Sequence, residues 1–82
     1  MAKRSKEEIL ANMLEISLTP VKKTAIMYGA TLSFTQLQLY TQLLERRGMI
    51  GKVEENGVFY WVTTSKGRDF LRAYQTVRQI IK

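Results

Sequence analysis

Ser33-Phe34-Thr35-Gln36-Leu37-Gln38-Leu39-Tyr40-Thr41-Gln42-Leu43-Leu44-Glu45-Arg46-Arg47-Gly48, running on into Met49-Ile50-Gly51-Lys52-Val53-Glu54-Glu55-Asn56-Gly57-Val58-Phe59-Tyr60-Trp61-Val62, is the stretch that decides the fold. Its first half has helical period: Leu37, Tyr40, Thr41 and Leu44 fall on one face at three- and four-residue spacing. Ser33 with Gln36 three residues later has the spacing of a capping box, and Gly48 is a helix terminator, so a helix is expected up to Arg47. Past Gly48 the period changes to alternation. Asn56-Gly57, set between β-branched and aromatic runs, is the strongest short signal for a two-residue hairpin.

Working outward towards the N-terminus, Ile9, Leu10, Met13, Leu14 and Ile16 recur at helical spacing behind a second capping box, Ser5 with Glu8. This predicts a helix from about Lys6 to Leu18 that stops before Thr19-Pro20, because proline disfavours helical geometry in the residue before it. Pro20 then suits the start of a second helix, Val21 to Tyr28, with Val21, Ala25, Ile26 and Tyr28 inward and Gly29 as a left-handed cap. Only Ala30-Thr31-Leu32 separates it from the helix at Ser33, and so tight a link reads as a helix-turn-helix. On the other side of the hairpin, Thr64 caps a last helix. Phe70, Ala73, Tyr74, Val77, Ile80 and Ile81 form its stripe, opposite Arg68, Arg72, Gln75 and Gln79. Three helices, a hairpin and a further helix describe a winged helix, an α+β fold that is mainly α, expected to occupy residues 1–82 as one domain.

Composition narrows the function. A chain of 82 residues is too short for two cores, and its stability is marginal without a staple. Cys 0 and His 0 remove disulfides and the usual zinc ligands, so no metal or cofactor is implied and oligomerisation is the remaining staple. The same absences remove most nucleophilic and acid–base chemistry, and Glu7, Glu8, Glu15, Glu45, Glu54, Glu55 and Asp69 read as solvated positions; the chain is not expected to be an enzyme. Its five glycines build no phosphate-cradling loop. No ligand pocket for a small molecule is evident. No apolar run spans a bilayer and Met1-Ala2-Lys3-Arg4-Ser5-Lys6 lacks a signal-peptide core, which predicts a cytoplasmic protein away from the membrane.

A net charge of +6 favours a polyanionic partner. The charge is uneven: five cations stand against three anions in residues 1–32, three against three in 33–62, and five against one in 63–82. The stretch that includes the third helix and hairpin is therefore neutral, which argues for base readout over nonspecific coating.

Leu44-Glu45-Arg46-Arg47-Gly48-Met49-Ile50 resembles the end of the recognition helix and start of the wing in winged helix-turn-helix regulators of the multiple-antibiotic-resistance and related classes. Thr24-Ala25-Ile26-Met27-Tyr28-Gly29-Ala30, then Leu32-Ser33-Phe34, and later Tyr60 with Thr64-Ser65-Lys66-Gly67, resembles a narrower group. These are small archaeal winged-helix DNA-binding proteins whose last helix pairs as an antiparallel coiled coil. The resemblance runs from about Ser5 to Ile81, although the last helix here reaches only Lys82. It implies a double-stranded DNA-binding, nucleoid-associated regulator, dimeric through residues 65–82, that represses by occupying a promoter.

A recognition helix lies in the major groove with its early exposed residues on base edges. Thr35, Gln36, Gln38 and Gln42 are the base-reading candidates, since a glutamine amide matches adenine in two bonds and a threonine methyl meets that of thymine. The same stripe also reads as a solvated polar face. Lys22, Lys23, Ser33, Arg46, Arg47 and Lys52 are placed for phosphates, though Arg46 and Arg47 equally suit the negative end of a helix dipole. Glu54 and Glu55 make the wing tip acidic. Phe70, Tyr74, Val77, Ile80 and Ile81 are the expected homodimer contacts, or else pack on the first helix. An architectural DNA-binding protein with little sequence preference and a winged-helix protein-interaction module are the alternatives.

Overall fold

Both capping boxes form, and each sets the start of a helix. In the computed structural model, which describes residues 4–81, the Ser5 hydroxyl accepts the Glu8 N–H at 3.1 Å and opens α1 (Lys6–Ile16). The Ser33 hydroxyl accepts the Gln36 N–H at 3.1 Å and opens α3 (Phe34–Arg46). Between them lies α2 (Lys23–Gly29). The wing is β1 (Ile50–Glu55) paired antiparallel with β2 (Val58–Thr63), and α4 (Ser65–Ile81) follows. Residues 1–3, including Lys3 of the basic tip, and Lys82 lie outside the described residues.

Helix ends follow from backbone geometry. At the end of α3, Gly48 takes φ 71°, and the N–H groups of Gly48 and Met49 donate to the carbonyls of Glu45 and Leu44, the paired bonds of a Schellman cap. The end of α2 has the same bonds, from Thr31 to Tyr28 and from Leu32 to Met27, so the left-handed residue is Thr31 at φ 54° and not Gly29. Gly29 is still helical and serves proximity: a Cβ there would stand 2.8 Å from Ile16 Cδ1. The hairpin closes through Asn56 and Gly57 at φ 53° and 79°, with Glu55 opposite Val58.

The expected start of the second helix is corrected. Pro20 lies outside any helix, Lys22 is extended as the N-cap, α2 begins at Lys23, and Val21 exchanges two backbone hydrogen bonds with Trp61, at 3.0 and 2.7 Å. Ala25 and Tyr28, expected inward, are exposed, because the short α2 turns only Ile26 fully into the core. Pairing Val21 with the wing satisfies main-chain groups of β2 that would otherwise have no partner on that edge. The first helix also ends at Ile16 instead of Leu18; Ser17 is its cap and is fully buried, its hydroxyl donating to the Met13 carbonyl at 2.8 Å.

The core joins all these elements. Met13, Leu14, Ile26 and Leu44 are fully or almost fully buried, and Ile9, Leu37, Ile50, Trp61 and Leu71 close around them. Thr63 fastens the wing base to α1: its N–H donates to the Ser17 carbonyl at 2.8 Å and its hydroxyl to the Leu14 carbonyl at 2.7 Å. Thr64 caps α4, its hydroxyl accepting the Gly67 N–H at 3.2 Å while donating to the Gly48 carbonyl at 2.6 Å. The stripe expected on α4 is rearranged. Gly67 and Leu71 are the buried positions, Phe70 and Tyr74 are half-buried against the core, and Ala73 is exposed.

Candidate nucleic-acid interface

Burial of Leu37, Thr41 and Leu44, with Tyr40 half-buried, fixes the rotation of α3. At a hundred degrees per residue the opposite, outward face carries Thr35, Leu39, Gln42 and Arg46, all exposed. Leu39 is the residue the composition of this stripe hides: it is 61% exposed at the middle of the outward face. A helical-wheel projection of α3 finds it, because its angle lies between those of Arg46 and the core-flanking Leu43. Phe34 at the first turn is also largely exposed.

The structure divides the expected site residues. Gln36 turns back to its own helix start, Oε1 accepting the Ser33 N–H at 3.0 Å, so the cap engages the acceptor oxygens of Gln36 and Ser33 and leaves Gln36 without the oxygen that a two-bond contact to adenine needs. Gln38 is half-buried on the flank towards α2, where Lys23 Nζ donates to Gln38 Oε1 at 2.5 Å. Lys22 is exposed at the start of α2 and makes no side-chain cap bond. Arg46 and Arg47 diverge. Arg46 borders a shallow groove with Lys6, Leu39 and Gln42, whereas Arg47 turns towards Lys6, Glu7 and Phe70 on the α1–α4 side.

The wing meets the helices through a ladder of cations and rings. Lys52 stands opposite Trp61 in the register, and its ammonium lies 4.7 Å from the Phe59 ring centre and 5.4 Å from that of Trp61. Lys23 Nζ lies 5.4 Å from the Trp61 ring. Trp61 is thus the hub: the residue is 6% exposed, with one lysine from the wing and one from α2 over its ring. The rings hold both ammonium groups by cation–π attraction without neutralising them, which keeps their charge available to an anion. Phe59, half exposed, lies on the same strand face two residues before Trp61. Glu54 and Glu55 remain exposed near the hairpin tip.

At the far end of α4, Val77, Ile80 and Ile81 are 53%, 78% and 79% exposed, whereas Leu71 and Tyr74 face Ala11, Asn12 and Glu15 of α1. Among the described residues no group of three or more His, Cys, Asp or Glu side chains is placed to hold a metal ion, and no helix is long and apolar enough to cross a membrane.

Two helices joined by a tight turn, an outward, mainly polar face on the second of them and a two-stranded wing that carries Lys52 define a winged helix-turn-helix. The chain belongs to the winged helix-turn-helix family, whose sequence model matches residues 3–82. Among solved structures it is similar to Sso10a-2, a DNA-binding protein from Sulfolobus solfataricus, with 23% identity and a TM-score of 0.84 over 94% of this chain and 81% of that one. It is also similar to F-93 of SSV1, with 16% identity and a TM-score of 0.69 over 96% of this chain and 97% of the other. No curated protein sequence matches it.

Proposed function

We propose that the protein is a sequence-specific double-stranded DNA-binding transcription regulator that acts as a homodimer and represses by occupying a promoter site. The observation that carries this reading is the outward face of α3, where Thr35, Leu39, Gln42 and Arg46 stand exposed, while Lys23 of α2 and Lys52 of the wing meet at the Trp61 ring. That face mixes hydrogen-bonding and methyl-contacting side chains, the two kinds that distinguish base edges in a major groove. Lys22, Lys23 and Lys52 flank it as phosphate contacts, which orient the protein without reading sequence. The likeness to a DNA-binding protein from Sulfolobus solfataricus supports the same assignment.

Residues 65–82 supply the dimer contact in this reading. Exposed Val77, Ile80 and Ile81 continue the apolar side of α4 beyond the reach of α1, and a two-fold pairing there sets two copies of α3 about 34 Å apart, one turn of DNA. The protein is then cytoplasmic and nucleoid-associated. The second reading, an architectural DNA-binding protein, is favoured by the positive excess in residues 63–82 instead of on α3.

Fluorescence anisotropy with the DNA upstream of its own gene and with a scrambled duplex, each across a salt series, tests these readings. Tight binding to the native duplex that survives physiological salt, beside weak and salt-sensitive binding to the scrambled one, is expected of the regulator. Equal affinities favour the architectural reading. Binding to neither overturns both.

A further inference from the structure

We infer that Lys23 is a specificity-determining residue: by holding the carboxamide oxygen of Gln38 it converts that glutamine from an adenine reader into part of a donor-only pair that selects guanine. The inference rests on the reading of α3 as the helix that enters the major groove.

The orientation of the Gln38 amide follows from chemistry. An ammonium group has three donors and no acceptor, so the side-chain atom of Gln38 that faces Lys23 Nζ is the oxygen. The amide nitrogen is left pointing away from Lys23, with two N–H donors to offer. Lys23 is itself held a second time, its ammonium 5.4 Å from the ring of the buried Trp61. Trp61 in turn is fixed by its two backbone bonds to Val21, two residues before Lys23. The pair is therefore built into the junction of wing, turn and recognition helix.

Adenine offers the major groove one acceptor, N7, and one donor, the N6 amino group, so a glutamine reads it with oxygen and nitrogen together. Guanine offers two acceptors, N7 and O6, and no donor. With the oxygen engaged by Lys23, the groove meets the Gln38 N–H groups and the remaining Lys23 N–H groups. The oxygen keeps a second lone pair, but an adenine amino group reaching for it would enter the positive field of the ammonium beside it. Guanine, whose O6 and N7 carry negative potential, gains from the same field.

Selection from a randomised duplex pool, run with the wild-type protein and with Lys23→Met, Lys23→Arg and Gln38→Ala, tests this. The wild-type protein is expected to enrich a site with guanine at one position, and Gln38→Ala to lose the preference there. Lys23→Met keeps an unbranched apolar side chain of similar length, frees the oxygen and is expected to change that guanine to adenine; Lys23→Arg, again donor-only, keeps guanine. A probe that needs no variant is the enriched duplex carrying 7-deazaguanine at that position, which removes one acceptor. It is expected to weaken wild-type binding by about tenfold, the loss typical of one good base contact. An enriched site that has adenine at the Gln38-dependent position, the same base preference in Lys23→Met, or full affinity for the 7-deazaguanine duplex overturns the inference while leaving the regulator intact. Enrichment of no site overturns the regulator reading and this inference with it.

Discussion

Gly67, in the first turn of α4, lies against the main-chain carbonyl of Met49 with no room for a side chain between them. A Cβ at Gly67 would overlap the Met49 oxygen and stand 2.6 Å from Thr63 Cγ2. Since the carbonyl belongs to the turn between α3 and the wing, where Met49 O also accepts the Thr64 N–H at 3.0 Å, it has nowhere to retreat. Gly67→Ala is expected to destabilise the protein by about 3 kcal/mol, at the upper end of overpacking costs, in a urea titration followed by circular dichroism. Loss of less than 1 kcal/mol would mean that α4 shifts freely on the wing base.

Two buried threonines are expected to respond in opposite directions to the same change. Thr63 Oγ1 supplies a hydrogen bond to the Leu14 carbonyl, which lies in the last turn of α1. Thr63→Val leaves that buried acceptor unmet and costs about 1–3 kcal/mol. Thr41 Oγ1 is buried with no partner among the described residues, so Thr41→Val removes an unsatisfied hydroxyl and raises stability by about 1 kcal/mol. Thermal melts of the two variants check the sign of each.

Lys52 is predicted to contact a phosphate. Neutralising it in Lys52→Met removes one released counterion, so the slope of log affinity against log salt becomes shallower by about 0.9 on specific and scrambled DNA alike. Because its ammonium sits over Trp61, the chain's single tryptophan, movement of Lys52 onto DNA changes the indole emission, and Lys52→Met abolishes most of that change. An unaltered salt slope would remove the wing from the interface.

Leu39 is placed to meet the 5-methyl group of thymine. Replacing the thymines of the bound site one at a time with deoxyuridine deletes that methyl and nothing else in the groove. One position is expected to lose about 1 kcal/mol with the wild-type protein and nothing further with Leu39→Ala. Equal affinity for every uridine duplex would leave Leu39 a bystander.

Ile80→Glu with Ile81→Glu sets four carboxylates where the proposed dimer buries four isoleucines. Light scattering at micromolar concentration is expected to give twice the chain mass for the wild type and the single mass for the double variant. Both residues are exposed in the single chain, so its helix content at the same temperature should hold. A monomeric wild type sinks the dimer.

Elements whose causes are local could be read from residue spacing alone. Ser5 with Glu8, Ser33 with Gln36, Gly48 and Asn56-Gly57 act through hydrogen bonds or dihedral preferences that reach four residues at most, so helix starts, one helix end and the hairpin were legible from spacing. The inward face of α3 was legible for the same reason, because rotation follows from period. Relations between residues distant along the chain emerged only once the helices and wing were packed together. Val21 reads as helical from Pro20, but the open edge of β2 forty residues later offers backbone partners that a helix start could not, and it forms an isolated bridge to Trp61. Gly29 reads as a cap, yet it is still helical with the Ile16 side chain packed close over it, and the left-handed turn falls to Thr31. The site divides in the same way. Composition and period brought Gln38, Lys23 and Lys52 forward as separate polar positions on exposed surface. Their joining at Trp61 depends on the docking of the wing against α2, an arrangement that hydrophobic burial sets and that no local spacing encodes.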